Sequence, residues 1–226
     1  MRKIALFFLL FLSLPGFCQA APCYGTKLPE ARKFFTGAQT YILHKRQLKD
    51  ELGKLKSTQY FLLLSYGVFD WLSIDLKGGA GNIHKHPQQG DTVEYSSGFA
   101  GGYGFRVKFY DDAKSRLIFG FQHISVHPQD TDVGDAKNKA VMNDWQFSLL
   151  ASRQFFRFTP YVGTRWSYMD YNHRVDSDRK REKSDRTKDI GLILGTDFAI
   201  TERIWLNLEA QFLDAQAYVA GLNFSF

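Results

Sequence analysis

Three groups of residues have types and spacing that could do chemistry. In Gln122-His123-Ile124-Ser125-Val126-His127, two imidazoles and a hydroxyl recur at every second position, so on an extended strand they share one face. His123 could serve as base to a nucleophilic Ser125, given a carboxylate to orient the ring and a donor for the oxyanion. Asp130 and Asp135 are the nearby acids, but their spacing matches no triad order. The apolar residues change face at Ile124 and Val126, which predicts either a bulge or an exit from an apolar environment. Polar residues at an apolar–water boundary are the plainer reading and the preferred one. The second group is His84, His86 and Asp91 with Asp170, His173, Asp176 and Asp178, acids and imidazoles that could activate water. Two histidines one residue apart do not make a metal site, so no metal is expected, and solvated loop residues are preferred here too. The third group is basic. Residues 173–188 hold seven Lys or Arg against four acids, and Lys45, Arg46, Lys49, Lys54 and Lys56 add to it. Such a cluster pairs with phosphates or simply keeps a loop soluble, and both can hold at once.

The elements that must position these groups are strands. Ile204, Leu206, Leu208, Ala210 and Phe212 alternate with Trp205, Asn207, Glu209 and Gln211. After Asp214 the pattern restarts, with Tyr218, Ala220, Leu222, Phe224 and Phe226 against Val219, Gly221, Asn223 and Ser225. A period of two gives a strand one apolar and one polar or small face. Similar runs at 34–44, 58–68, 71–81, 98–109, 116–127, 141–152, 159–170 and 189–200, with the closing hairpin over 203–226, predict ten strands. The pattern at 159–170 leaves its facing open. Connections alternate long and short along the chain, except at 213–215. Leu48, Leu52 and Leu55 have helical spacing, which predicts a short helical turn in the first long connection.

The N-terminus reads as a secretory signal over 1–20. Arg2 and Lys3 precede an apolar core over 4–14, which Pro15 and Gly16 break before small Ala20 and Ala21. A lead-in over 21–32 then precedes strands over 33–226. Cys18 leaves with the signal and Cys23 stays alone, so the mature chain has no internal disulfide to stabilise it. No later run reaches the ~20 apolar residues of a membrane helix. Yet the 226 residues include 21 Phe, 11 Tyr and 4 Trp, while mean hydropathy is only −0.29. A barrel in lipid has this profile, because only alternate residues face the bilayer and aromatics gather at its two interfaces. The net charge of +6 falls by two, to +4, without Arg2 and Lys3, too little to suggest nucleic acid.

The signal, the alternating strands and the terminal Leu222-Asn223-Phe224-Ser225-Phe226 together resemble the small outer-membrane β-barrel family of Gram-negative bacteria. The resemblance implies an all-β, antiparallel up-and-down transmembrane barrel of ten strands, with eight or twelve as the neighbouring counts. It also implies that the barrel-assembly machinery reads the last strand at Tyr218, Leu222, Phe224 and Phe226. The His123-x-Ser125 pair resembles the outer-membrane lipid A deacylases, implying His as base and Ser as nucleophile. Strand number and an Asp/His rim resemble the omptin proteases, but the paired carboxylates expected on their second loop are absent. Inside such a barrel Asp75, Lys77, Arg106, Lys108, Glu209 and Gln211 lie on polar faces. Opposite charges there pair and fill a narrow lumen, so a wide pore is not expected, although a narrow gated one is compatible. The expectation is a monomeric, non-enzymatic scaffold in the outer membrane, with charged loops on lipopolysaccharide or external partners and no cofactor. A lipid A-modifying hydrolase or a narrow pore are the alternatives.

Overall fold

The computed structural model describes residues 25–49, 52–112, 114–134, 136–175, 178–183 and 189–226. The expected signal, Cys18, Cys23, Asp135 and Asp176 lie outside the described residues. Twelve strands run in order: β1 (Phe34–Gln47), β2 (Lys54–Phe69), β3 (Leu72–His86), β4 (Val93–Asp111), β5 (Ser115–His127), β6 (Thr131–Val133), β7 (Ala136–Arg153), β8 (Phe158–Val175), β9 (Asp178–Lys183), β10 (Ile190–Ala199), β11 (Ile204–Phe212) and β12 (Ala215–Ser225). Ten of them form the wall, each antiparallel to its neighbours, and pairing of β1 with β12 and of β7 with β8 closes the ring. The fold is thus an all-β, ten-stranded antiparallel barrel. The short β6 and β9 pair only with β7 and β8 respectively, as arms above the rim at the long-loop end.

Wall strands follow the period of two. On β2, Phe61, Leu63 and Ser65 point inward and are buried, while Tyr60, Leu62 and Leu64 point outward, Leu62 with 71% of its surface exposed. Outward rings meet across strands: Phe119 stacks on Phe147 at 5.6 Å, and Phe121 packs on both Phe105 and Phe147 at 5.3 and 5.2 Å. Each such cross-strand aromatic pair contributes about 0.5–1 kcal/mol. The closing hairpin faces as its alternation predicts, with Asn207, Glu209, Gln211 and Asn223 buried inside and Tyr218 and Leu222 exposed outside. On β8, whose facing the sequence leaves open, Tyr161, Arg165, Met169 and Tyr171 are buried and Val162 is exposed.

Several strands run further than the alternation indicates. β3 continues to His86, β4 begins at Val93, β7 at Ala136, and β8 reaches Val175. These extensions rise above the apolar band, where both faces can be polar and the pattern fades. In the first connection, where the sequence predicts a short helical turn, the Leu52 amide donates to the Lys49 carbonyl at 3.1 Å, and residues 50 and 51 lie outside the described residues. No bulge marks Ile124 or Val126, since β5 pairs with both neighbours without a register shift there. Both residues point into the barrel and join an apolar cluster with Tyr41, Leu43, Leu55, Ile83, Tyr95, Met142, Met169 and Tyr171. The interior therefore holds an apolar cluster beside its polar groups, whereas the sequence predicts a polar lumen throughout.

The segment before β1 also enters the barrel. Thr26 is fully buried, and its amide donates to Asp197 at 3.2 Å. The Lys27 ammonium lies 4.0 Å from the Trp205 ring centre. Gly25 has φ of 72°, and a Cβ there would sit 2.7 Å from Asp197 and 2.8 Å from Asn207. Only glycine suits both the backbone conformation and the space.

Candidate functional site

Two polar networks fill the interior. In the first, Arg106 (β4) donates to Asp75 (β3) through Nε at 2.8 Å and Nη2 at 2.9 Å, and Ser65 (β2) also hydrogen-bonds Asp75. The Nη1 arm of Arg106 reaches the Lys27 carbonyl at 2.8 Å, tying the N-terminal segment to the wall. Lys77 donates to Gln39 at 2.7 Å, and Glu209 accepts from Tyr161 at 3.0 Å. In the second network Asp214, on the β11–β12 turn, receives Arg46 Nη1 at 2.6 Å and Arg165 Nη2 at 2.7 Å. Arg165 also donates to Gln211. Asp75, Lys77, Arg106, Glu209, Arg46, Arg165 and Asp214 are each no more than 6% exposed. Lys108, expected beside Arg106 in the lumen, sits at the turn end and pairs with Asp111, its side chain 21% exposed.

Neither Arg165 nor Asp214 stands out in the sequence, and Arg46 reads there as part of the basic rim. The register shift between Leu43 and Lys45 explains Arg46. An extra residue at that point reverses the facing of its successors, so Arg46 turns inward while Lys45 stays exposed. The side chains of both networks are almost wholly buried. Chemically they hold the wall in register, because each guanidinium of the two networks has its counter-charge within hydrogen-bond reach.

On the outer wall His123, Ser125 and His127 do share the outward face of β5. Ser125 pairs not with His123 but with its other neighbour: its Oγ lies 2.8 Å from His127 Nε2 and 2.8 Å from Asn143 Oδ1 on β7. The His123 ring lies 4.1 Å from Trp145, centre to centre, and hydrogen-bonds Asn143. Among the described residues no carboxylate hydrogen-bonds or ion-pairs with either ring. Asp130 is taken by Lys139 at 2.9 Å and Lys137 at 3.4 Å.

The loop residues do not converge on one point. His84 pairs with Glu94 at 3.3 Å, His86 meets Thr92 at 3.0 Å, and His173 meets Glu182 at 3.1 Å. Among the described residues no three His, Cys, Asp or Glu are grouped to hold a metal ion. What this end does have is a tie between the β9 arm and the wall, where Glu182 also binds Lys85 of β3 at 2.5 Å. Burial pushes the Glu182 carboxyl up, but His173 and Lys85 outweigh it and hold the group below its ordinary value. The terminal-strand positions Tyr218 and Leu222 face outward, and Phe226 packs on Phe34 of β1 at 4.5 Å, beside the closing seam.

No protein-family model matches the chain, and no curated protein matches it either. Among solved structures, an outer-membrane channel from Pseudomonas putida F1 aligns over 92% of this chain and all of its own length, with TM-score 0.50 at 9% identity. The outer membrane protein AlkL, solved in lipid bilayers, aligns over 93% of this chain and 97% of its own, with TM-score 0.44 at 8% identity. The Escherichia coli outer membrane protease OmpT covers 86% of this chain and 95% of its own, with TM-score 0.43 at 11% identity. At such identities the likeness concerns architecture alone: this chain has the closed, ten-stranded fold of the small outer-membrane β-barrels.

Proposed function

We propose that this protein is a closed, non-enzymatic scaffold of the bacterial outer membrane, acting as a single barrel. Its charged long-loop end would contact lipopolysaccharide phosphates or an external partner. The filled interior is the main support for this reading, since its ion-paired groups from Arg106 to Arg165 are almost wholly sealed from water. What the molecule would offer to partners is its charged loops and its apolar outer wall. An outward face bearing Leu62, Leu64, Tyr218 and Leu222 suits lipid, and exposed Lys45 and Lys49 at the loop end suit phosphate. The first experiment is fractionation of the expressed full chain, with migration compared before and after heating. Recovery with outer membranes and a heat-dependent shift are expected, whereas recovery in the soluble periplasm would end this reading.

Hydrolysis of an outer-leaflet lipid is the second reading, and it draws on the contact between Ser125 Oγ and His127 Nε2. It ranks lower because neither ring has an orienting carboxylate among the described residues. A Ser125→Ala variant should leave the acyl pattern of lipid A as the parent leaves it, and a changed pattern would promote the hydrolase. The filled interior also weighs against a narrow pore.

A further inference from the structure

A band of side chains in the middle of the barrel belongs to neither ionic network. Tyr41 points inward from β1, Gln122 from β5 and Gln146 from β7, and each is no more than 3% exposed. In the ring of ten wall strands β7 lies five steps from β1 in either direction, so Tyr41 faces the wall that carries Gln146. Its hydroxyl is within electrostatic reach of Asp144, the next inward residue on that strand. Gln122 and Gln146 are direct cross-strand partners. On the other side of Gln122 the pairing residue is Gly104, which contributes no side chain.

These residues carry polar atoms that the rest of the protein leaves unpaired. The Tyr41 hydroxyl, Oε1 of Gln122 and both amide atoms of Gln146 are buried, with no hydrogen-bond partner among the described residues. A buried polar atom without a partner gives up its hydration and gains nothing in return, so native interiors hold few of them. Four in one band call for a guest that bonds them. Gln146 decides the chemistry of that guest, because Oε1 needs a donor and Nε2 needs an acceptor. A bare cation would serve only the oxygens, and a bare anion only the amide nitrogen and the hydroxyl. Size decides the rest. Gln146 is 1% exposed, while Asp144 beside it keeps 7%, so the interior space at the band is of water size. Water both donates and accepts, and a buried water takes about three hydrogen bonds.

We propose that Tyr41, Gln122 and Gln146 form an internal hydration site, in which roughly two or three bound waters join β1 to β5 and β7 across the lumen. The waters supply what direct contacts do not, since Gln146 bonds neither Gln122 nor Tyr41. The site is independent of what the loops bind, so its failure would leave the scaffold reading standing. Its test is NMR of the full chain, isotope-labelled at glutamine nitrogen and refolded into lipid nanodiscs. The Gln146 side-chain amide, identified by its loss in Gln146→Leu, should show cross-relaxation with water, which differs in sign from hydrogen exchange in the rotating frame. Tyr41→Phe reads the opposite wall without depending on that assignment. Where the hydroxyl holds a water, its removal lowers the urea midpoint of the refolded barrel; an unpaired hydroxyl would raise it on removal. We expect the lower midpoint. Absence of cross-relaxation at Gln146, or a Tyr41→Phe midpoint equal to or above the parent's, would overturn the proposal.

Discussion

Replacing Asp214 with alanine should be among the most damaging single changes in this barrel. The carboxylate has no exposed surface, and two guanidiniums depend on it: Arg46 at 2.6 Å and Arg165 at 2.7 and 3.1 Å. Their side chains are only 3% and 1% exposed. Removing one partner of a buried pair costs about 3–5 kcal/mol, because the remaining charge stays desolvated. Here two charges of like sign are left. Arg46 retains the Ser167 carbonyl at 2.9 Å and Asp189 at 3.8 Å, and Arg165 retains Gln211, so we expect a loss of about 4 kcal/mol, within that range. Urea unfolding of the barrel refolded into lipid vesicles, followed by heat-modifiable migration, measures it. The mechanism makes a second demand, since the cost arises from uncompensated charge rather than from a missing contact. Replacing all three residues together, as Arg46→Leu, Arg165→Met and Asp214→Leu, should recover most of the loss, to within about 1–2 kcal/mol of the parent. A single variant within about 1 kcal/mol of the parent, or a triple variant worse than the single, would rule out the charge mechanism.

Three further outcomes depend on local geometry. Gly25→Ala should destabilise by about 1–3 kcal/mol and free the N-terminal segment to protease, because its Cβ would fall 2.7 Å from Asp197 at a φ of 72°; unchanged protection would contradict the strap. The Glu182 carboxyl is held below its ordinary value of 4.5 by His173 and Lys85 against the opposing effect of burial, so its tie stabilises the arm above that pH and is lost as pH falls through the lower folded value. Hydrogen exchange in β9, corrected for intrinsic rate, should accelerate at pH 7 in Glu182→Gln and in the parent only under acid; equal protection of variant and parent at pH 7 would count against the latch. Phe156 is 93% exposed at a φ of 56° on the β7–β8 turn, a conformation costing a non-glycine residue about 1–2 kcal/mol. Phe156→Asn should raise the melting temperature slightly, and a fall would reveal a contact that the turn makes with its surroundings.

The closing hairpin is readable from sequence because β11 from Ile204 to Phe212 and β12 from Tyr218 to Phe224 keep one face apolar. Ten wall strands can be counted for the same reason. The arms β6 and β9 cannot, since above the apolar band neither face of Asp178–Lys183 need be apolar. Arg46 is misplaced on a sequence reading because a bulge reverses facing without leaving a trace in the residue types. Ile124 and Val126 look like a disruption while a polar lumen is expected, whereas they belong to a second apolar core inside the wall. Arg165 and Asp214 lie 49 positions apart, and only barrel closure brings Arg46 to them. Thr26 and Gly25 sit in a short segment without periodicity, so nothing in it advertises burial.

The N-terminal segment, two ionic networks and an apolar core all occupy the interior of this barrel. Reconstitution of the full chain in planar bilayers probes the barrel's closure most directly. A filled barrel gives no steady conductance at moderate voltage and salt. Persistent ohmic steps from the parent protein, abolished by Arg106→Leu, would show the lumen to be open.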